Sequence, residues 1–74
     1  MYLSYNRDNQ RYGILSGDLW VDDGLHCGQH LIVETADGQI PTRLEMTVDG
    51  KWYLDGTDYI DHALEGLTVH YVES

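Results

Sequence analysis

The chain has 74 residues, with thirteen Asp and Glu against four Lys and Arg and a formal net charge of −9. That length gives one domain, residues 1–74, which hides only roughly 60% of its unfolded surface and has no room for a large dry cavity, so no cofactor is expected. Direct binding to nucleic acid or to an anionic membrane needs phosphate-neutralising cations, and their scarcity argues against both.

The first elements in chain order are two strands, Tyr2–Tyr5 and Arg11–Leu15, around the polar turn Asn6–Gln10, an opening hairpin. Residues 17–28 are punctuated by Gly17, Gly24 and Gly28 and read as a loop with a short strand or turn at Leu19-Trp20-Val21. Two Asp-Gly sites then separate three segments: Asp37-Gly38 divides His30–Thr35 from Ile40–Thr47, and Asp49-Gly50 divides that segment from Trp52–Leu54. Asp-Gly accepts positive φ at both central positions of a type I′ turn, so the sequence predicts a three-stranded antiparallel meander. Alternation agrees: Ile40, Thr42, Leu44 and Met46 share one face, and Pro41, Arg43, Glu45 and Thr47 the other. Leu31, Val33, Trp52 and Leu54 fall on the core side, and Pro41 belongs at a strand start, an edge or a bulge.

A single helix of two turns at most is expected over Asp58–Glu65, capped by Thr57 or Asp58 and ended by Gly66. Leu67, Val69 and Tyr71 alternate with Thr68, His70 and Val72 as a last strand. The expected fold is all-β: a small antiparallel barrel or roll of the SH3-like kind, with five to six short strands and one short helical turn.

Phe is absent, and six Tyr and two Trp supply the bulk, so several Tyr rings should be buried with their hydroxyls at the surface. The lone Cys27 has no internal disulfide partner, which favours a reducing cytoplasm. The start MYLSYNRDNQ does not read as a signal peptide, and apolar runs such as Leu31-Ile32-Val33 are far too short to span a bilayer. A cytoplasmic protein is expected.

Four segments occur in order: Gly24-Leu25-His26-Cys27-Gly28, Pro41-Thr42-Arg43-Leu44-Glu45, Trp52-Tyr53-Leu54 and Gly66-Leu67-Thr68-Val69. Together, over roughly residues 10 to 72, they resemble a family of short bacterial domains of unknown function, often carried on mobile elements of Gram-positive anaerobes. The resemblance implies a compact β-rich domain with no assigned activity and no catalytic residues to carry over. Where that family tends to be basic or neutral, this chain is acidic or has His70.

Few residues suggest chemistry. His26-Cys27-x-x-His30 has metal-ligand residue types, but a structural zinc site draws four ligands from two separated pairs and there is no second Cys. In an extended segment the two imidazoles lie roughly 13 Å apart, although a turn at Gly28 would bring them closer. The plainer reading is a buried Cys27 packed as a small apolar residue, with no metal. As a nucleophile Cys27 lacks the positive surroundings that lower a thiol pKa, since Asp22 and Asp23 are its charged neighbours in sequence. Paired carboxylates for acid–base hydrolysis need a cleft that so short a chain rarely encloses, and no enzyme activity is expected.

The acids themselves carry the main expectation. On a helix over 58–65, Asp58, Asp61 and Glu65 share a face, and Asp55 precedes them, giving a carboxylate row with neighbours about 5–6 Å apart. That spacing is comparable to the spacing of phosphates along a nucleic-acid strand, so the row suits a decoy that occupies a basic channel; a solvated face that keeps a small domain soluble is the bland alternative. Asp18, Asp22 and Asp23 form a second acidic group in a stretch without Lys or Arg, from Tyr12 to Thr42. Tyr53, opposite in direction to an inward Trp52, is an aromatic candidate for contact.

The sequence therefore leads to a non-enzymatic acidic binding protein. Its expected partner is a basic protein surface, in the sharpest form that of a nucleic-acid-handling enzyme inhibited in the manner of an anti-CRISPR or antirestriction factor. The alternative is a homodimeric accessory module that uses a sheet edge or an aromatic face.

Overall fold

The computed structural model describes residues 1–72 and contains seven strands, β1 (Tyr2–Asn6), β2 (Arg11–Ser16), β3 (Leu19–Asp22), β4 (Gln29–Thr35), β5 (Gly38–Met46), β6 (Trp52–Leu54) and β7 (Val69–Tyr71). Glu73, one of the acids, lies outside the described residues. The opening hairpin and the meander form where the sequence places them, and Leu19–Asp22 is a full strand on the edge of the first sheet. One sheet has the order β1-β2-β3 and the other β6-β5-β4-β7, all antiparallel.

The Asp-Gly sites turn the chain by a different geometry from the one expected. A type I′ turn needs positive φ at both central residues. Here Gly38 and Gly50 take φ of 111° and 88°, whereas Asp37 and Asp49 are not in that region. The left-handed residue is the glycine alone: Gly38 follows the two-residue connection Ala36-Asp37, and Gly50 lies within the five residues between Met46 and Trp52. Threonine stabilises each: the Asp37 amide donates to Thr35 Oγ1 at 3.1 Å, and the Lys51 amide to Thr47 Oγ1 at 2.9 Å. Pro41 sits as expected beside a missing neighbour, because β6 pairs only with Leu44–Met46 of β5.

The two sheets are joined along their backbones. Leu3 N donates to Leu67 O at 2.9 Å, Gly66 N to Leu3 O at 2.8 Å and Val69 N to Met1 O at 3.0 Å, so β1 runs beside the approach to β7. Among the described residues no ladder joins β3 to β6, and the expected barrel is not closed. The expected five to six strands are seven.

The core is filled from both sheets by Leu3, Tyr12, Ile14, Leu31, Val33, Leu44, Trp52, Leu54 and Val69, with Leu64 from the helical turn. Leu25, in the loop after β3, is also fully buried, held by its amide on Tyr12 O at 2.8 Å. The buried Thr42 satisfies its hydroxyl by donating to Asp55 O at 2.7 Å, as a buried polar group must.

Gly13 is required by a close approach. A Cβ there would meet the Trp20 ring at 2.8 Å and collide with the carbonyl oxygen of Asp22. Gly13→Ala should therefore push β3 and its indole outward and cost about 1–3 kcal/mol, read from the urea midpoint at unchanged m. An unchanged midpoint would show that β3 moves freely.

Candidate functional site

The expected helix over 58–65 does not form; only Asp61–Leu64 coils, as a 3₁₀ turn. The reason lies just before it. Ile60 is extended and bridges to Tyr53, so coiling starts only at Asp61, and no side chain caps the turn. Thr57 is occupied elsewhere: its hydroxyl donates to Leu54 O at 2.7 Å and accepts from the Tyr59 amide at 3.1 Å. Gly66 ends the turn as expected, with φ of 83°. Asp58, Asp61 and Glu65 consequently do not share a helical face, and the evenly spaced carboxylate row is not made.

The seven acids that the sequence singles out are distributed instead over separate places. Asp55 pairs with Arg43 at 3.3 Å. Asp58 lines a shallow depression with Tyr53, Tyr59 and Ile60. Asp18 lies in the β2–β3 turn, while Asp22 and Asp23 close β3, where the Asp22 carboxylate accepts from the Gly24 amide at 3.0 Å. Only Asp61 and Glu65 meet in a concave site.

That site is a groove of about 900 Å³ at the open seam between the first hairpin and the end of the β5–β6 hairpin. Its aromatic lining is Tyr5, Tyr12 and Trp52, joined by Met46; Asp61, Glu65 and Arg7 are its charged residues, and His62 also borders it. Tyr5 and Tyr12 face each other across β1 and β2 and pack edge to face, with centroids 5.3 Å apart, a favoured arrangement of aromatic quadrupoles. Trp52 donates its indole N–H to Gln10 O at 3.4 Å, which ties the meander to the first hairpin.

Glu65 is held through its carboxylate and Asp61 through its main chain. Glu65 Oε1 accepts from the Tyr5 amide at 2.9 Å. Asp61 takes a left-handed φ of 56°, a conformation that Asp tolerates better than most residues, and its carbonyl oxygen accepts from the Tyr12 hydroxyl at 3.0 Å. His62 Nε2 stands 3.7 Å from Asp61 Oδ2, on a side chain that is 98% exposed.

The Tyr12 hydroxyl reports the local field. Its pKa is pushed up to about 12, first by burial and then by the negative charges of Glu65 and Asp61, with Tyr5 adding to them. No cation offsets this at the hydroxyl, although Arg7 lines the same groove. The folded pKa is raised, so the associated stability is complete below the ordinary value of 10 and is lost as pH rises towards about 12. An ultraviolet titration should resolve a late phenol at about 12, distinct from Tyr71, which burial and Asp22 also push up, and assigned to Tyr12 by its loss in Tyr12→Phe; no late phase lost in that variant would contradict this environment. Of the six tyrosines Tyr12 alone is buried, where several are expected, and its oxygen lies in an internal hydrogen bond and not at the surface.

The remaining candidates come apart. Cys27 is exposed, not buried as expected, and His26 and His30 are exposed as well. Although the chain turns at Gly28, no group of three or more His, Cys, Asp or Glu among the described residues is arranged to hold a metal ion. Tyr53 is half-buried while its neighbour Trp52 is buried. His70, on the outer face opposite Ile32, brings Nε2 within 3.3 Å of Glu34 Oε2 without hydrogen-bond geometry. Among the described residues no helix is long and apolar enough to cross a membrane.

The groove was not legible in the sequence because its three rings come from positions 5, 12 and 52 and meet only through tertiary packing. The one available signal was the cross-strand register of the opening hairpin, which sets Tyr5 opposite Tyr12.

These features define a small all-β domain of two linked antiparallel sheets, with an aromatic groove walled by two carboxylates. The chain belongs to the family described as "Domain of unknown function (DUF5348)", which matches residues 1–71. No curated protein and no solved structure matches it.

Proposed function

We propose that the protein is a non-enzymatic binding domain whose groove receives a cationic side chain, arginine above all, from a basic surface of a partner protein. The observation that carries this reading is the placement of Asp61 and Glu65 on the wall of a groove lined by Tyr5, Tyr12 and Trp52. The exposed ring of Tyr5, with the buried Tyr12 and Trp52 behind it, attracts a guanidinium through its quadrupole, and the carboxylates accept its hydrogen bonds. Arg7 at the same groove reduces the local charge, while the net charge of −9 draws a basic partner from a distance.

The sharper reading, an inhibitor that imitates nucleic acid before a nucleic-acid-handling enzyme of a phage or mobile element, draws on the net charge and on the mobile-element resemblance. It loses its geometric argument with the helix, since the row at phosphate-like spacing is absent. A basic protein surface engaged through one anchored side chain needs no such row. A cytoplasmic setting agrees with the single unpaired thiol.

Calorimetric titration at low salt tests the proposal, using a short arginine-rich peptide and a glutamate-rich one of equal length. The arginine peptide should bind, weaken as salt is raised, and far outcompete the glutamate peptide. Equal heats from both, or none from either, would remove the proposal.

A further inference from the structure

Strand β3 is the last strand of its sheet, and among the described residues nothing pairs with its outer edge. The opposite end of the fold is treated differently. There the β6 edge is covered by residues 59–60, through the Tyr53–Ile60 bridge and a bond from Leu54 N to Tyr59 O of 3.1 Å. Exposed edges invite pairing, and proteins usually blunt them with lysine, proline or a covering segment. β3 has no lysine or proline and, among the described residues, no covering segment, and only its shortness, its bulge and the Asp22 carboxylate temper the edge. Its consecutive residues Leu19, Trp20 and Val21 are 76%, 41% and 48% exposed. A bulge places Val21 between the pairs Ile14–Asp22 and Leu15–Trp20, so the usable edge is short and twisted. Main-chain bonds alone would give a short edge little affinity, and discrimination falls to the flanking charges. Those are Asp18 at one end and Asp22 and Asp23 at the other.

We propose that the free edge of β3 is a docking strand for an extended segment of a partner protein, apolar at its centre and carrying Lys or Arg at both ends, which adds to the three-stranded sheet. Charge complementarity selects this occupant over a second copy of the chain. Antiparallel self-pairing about Trp20 would set Asp18 of each copy beside Asp22 of the other, on molecules of net charge −9 each. A basic-ended segment reverses the sign at both ends, and its alternating apolar side chains share one face of the sheet, where they pack beside one of Leu19 and Trp20, which lie on opposite faces. This surface shares no residue with the groove, so it stands or falls independently of the function proposed above.

The test is an amide-shift titration of isotopically labelled protein at low salt. The probe is a short peptide of alternating valine and threonine with lysines at both ends. One control carries glutamates at the ends, and a second keeps the lysines but is N-methylated at alternate amides, which removes its ladder donors. The lysine peptide should shift the amides of Leu19–Asp22 and Leu15, and both controls should bind these residues at least about tenfold more weakly. Shifts confined to Tyr5, Tyr12, Asp61 and Glu65 would overturn the proposal, as would equal binding of either control. Shifts at β3 that grow with protein concentration alone would assign the edge to a second copy and overturn it as well.

Discussion

Leu44→Ala should leave the domain barely folded at ambient temperature. Leu44 is fully buried in β5, paired with Gln29 of β4 on one side and Leu54 of β6 on the other, and its carbonyl accepts from the Gly28 amide at 2.7 Å. Truncating a leucine at such a site removes transfer energy and leaves a cavity, about 2–5 kcal/mol in total. A domain of this length has roughly 4–11 kcal/mol to lose, so the substitution consumes a large share of it. At about 4–8 °C per kcal/mol the melting temperature should fall by roughly 10–40 °C, measured by circular dichroism. A fall of only a few degrees would mean that β5 is not the centre of the core.

Neutralising the groove with Asp61→Asn and Glu65→Gln together should weaken arginine-peptide binding while leaving the fold intact. Gln keeps an oxygen to accept from the Tyr5 amide, and Asn tolerates the left-handed backbone at position 61. Pairs of this exposure are worth about 0.2–1 kcal/mol each, so losing two lowers affinity roughly 2- to 30-fold. A second readout belongs to the groove alone. Removing both charges takes away two of the causes that raise Tyr12, so its phenol should titrate earlier, closer to the ordinary value of 10. The same neutralisation at Asp18 and Asp23 removes equal charge and should leave the Tyr12 titration in place. If both pairs of substitutions weaken binding equally, the peptide is responding to net charge and not to the groove.

Local patterns made most of the fold readable. Period-two alternation at Ile40, Thr42 and Leu44, and glycine after aspartate at 37–38 and 49–50, specify strands and reversals from adjacent residues, and the meander follows. Turn type is less legible, because Asp-Gly supports hairpin connections that differ in whether aspartate itself takes positive φ, and the flanking Thr35 and Thr47 favour the ones observed. The helix over 58–65 failed for a tertiary reason: the Tyr53–Ile60 bridge holds Ile60 extended, which no local propensity reveals. Barrel closure was unreadable because it depends on how the ends of two sheets meet. The site suffered most. Its acids were visible as a charge run, yet which two of them face aromatic rings was decided by packing between distant strands.

The most direct measurement is the map of amide shifts as an arginine-rich peptide is titrated into the labelled protein. Groove binding predicts that the largest shifts fall at Tyr5, Tyr12, Asp61, Glu65 and the Trp52 indole, saturating together on one curve. Small shifts spread over the acidic residues at large, with these positions no different from the rest, would contradict it.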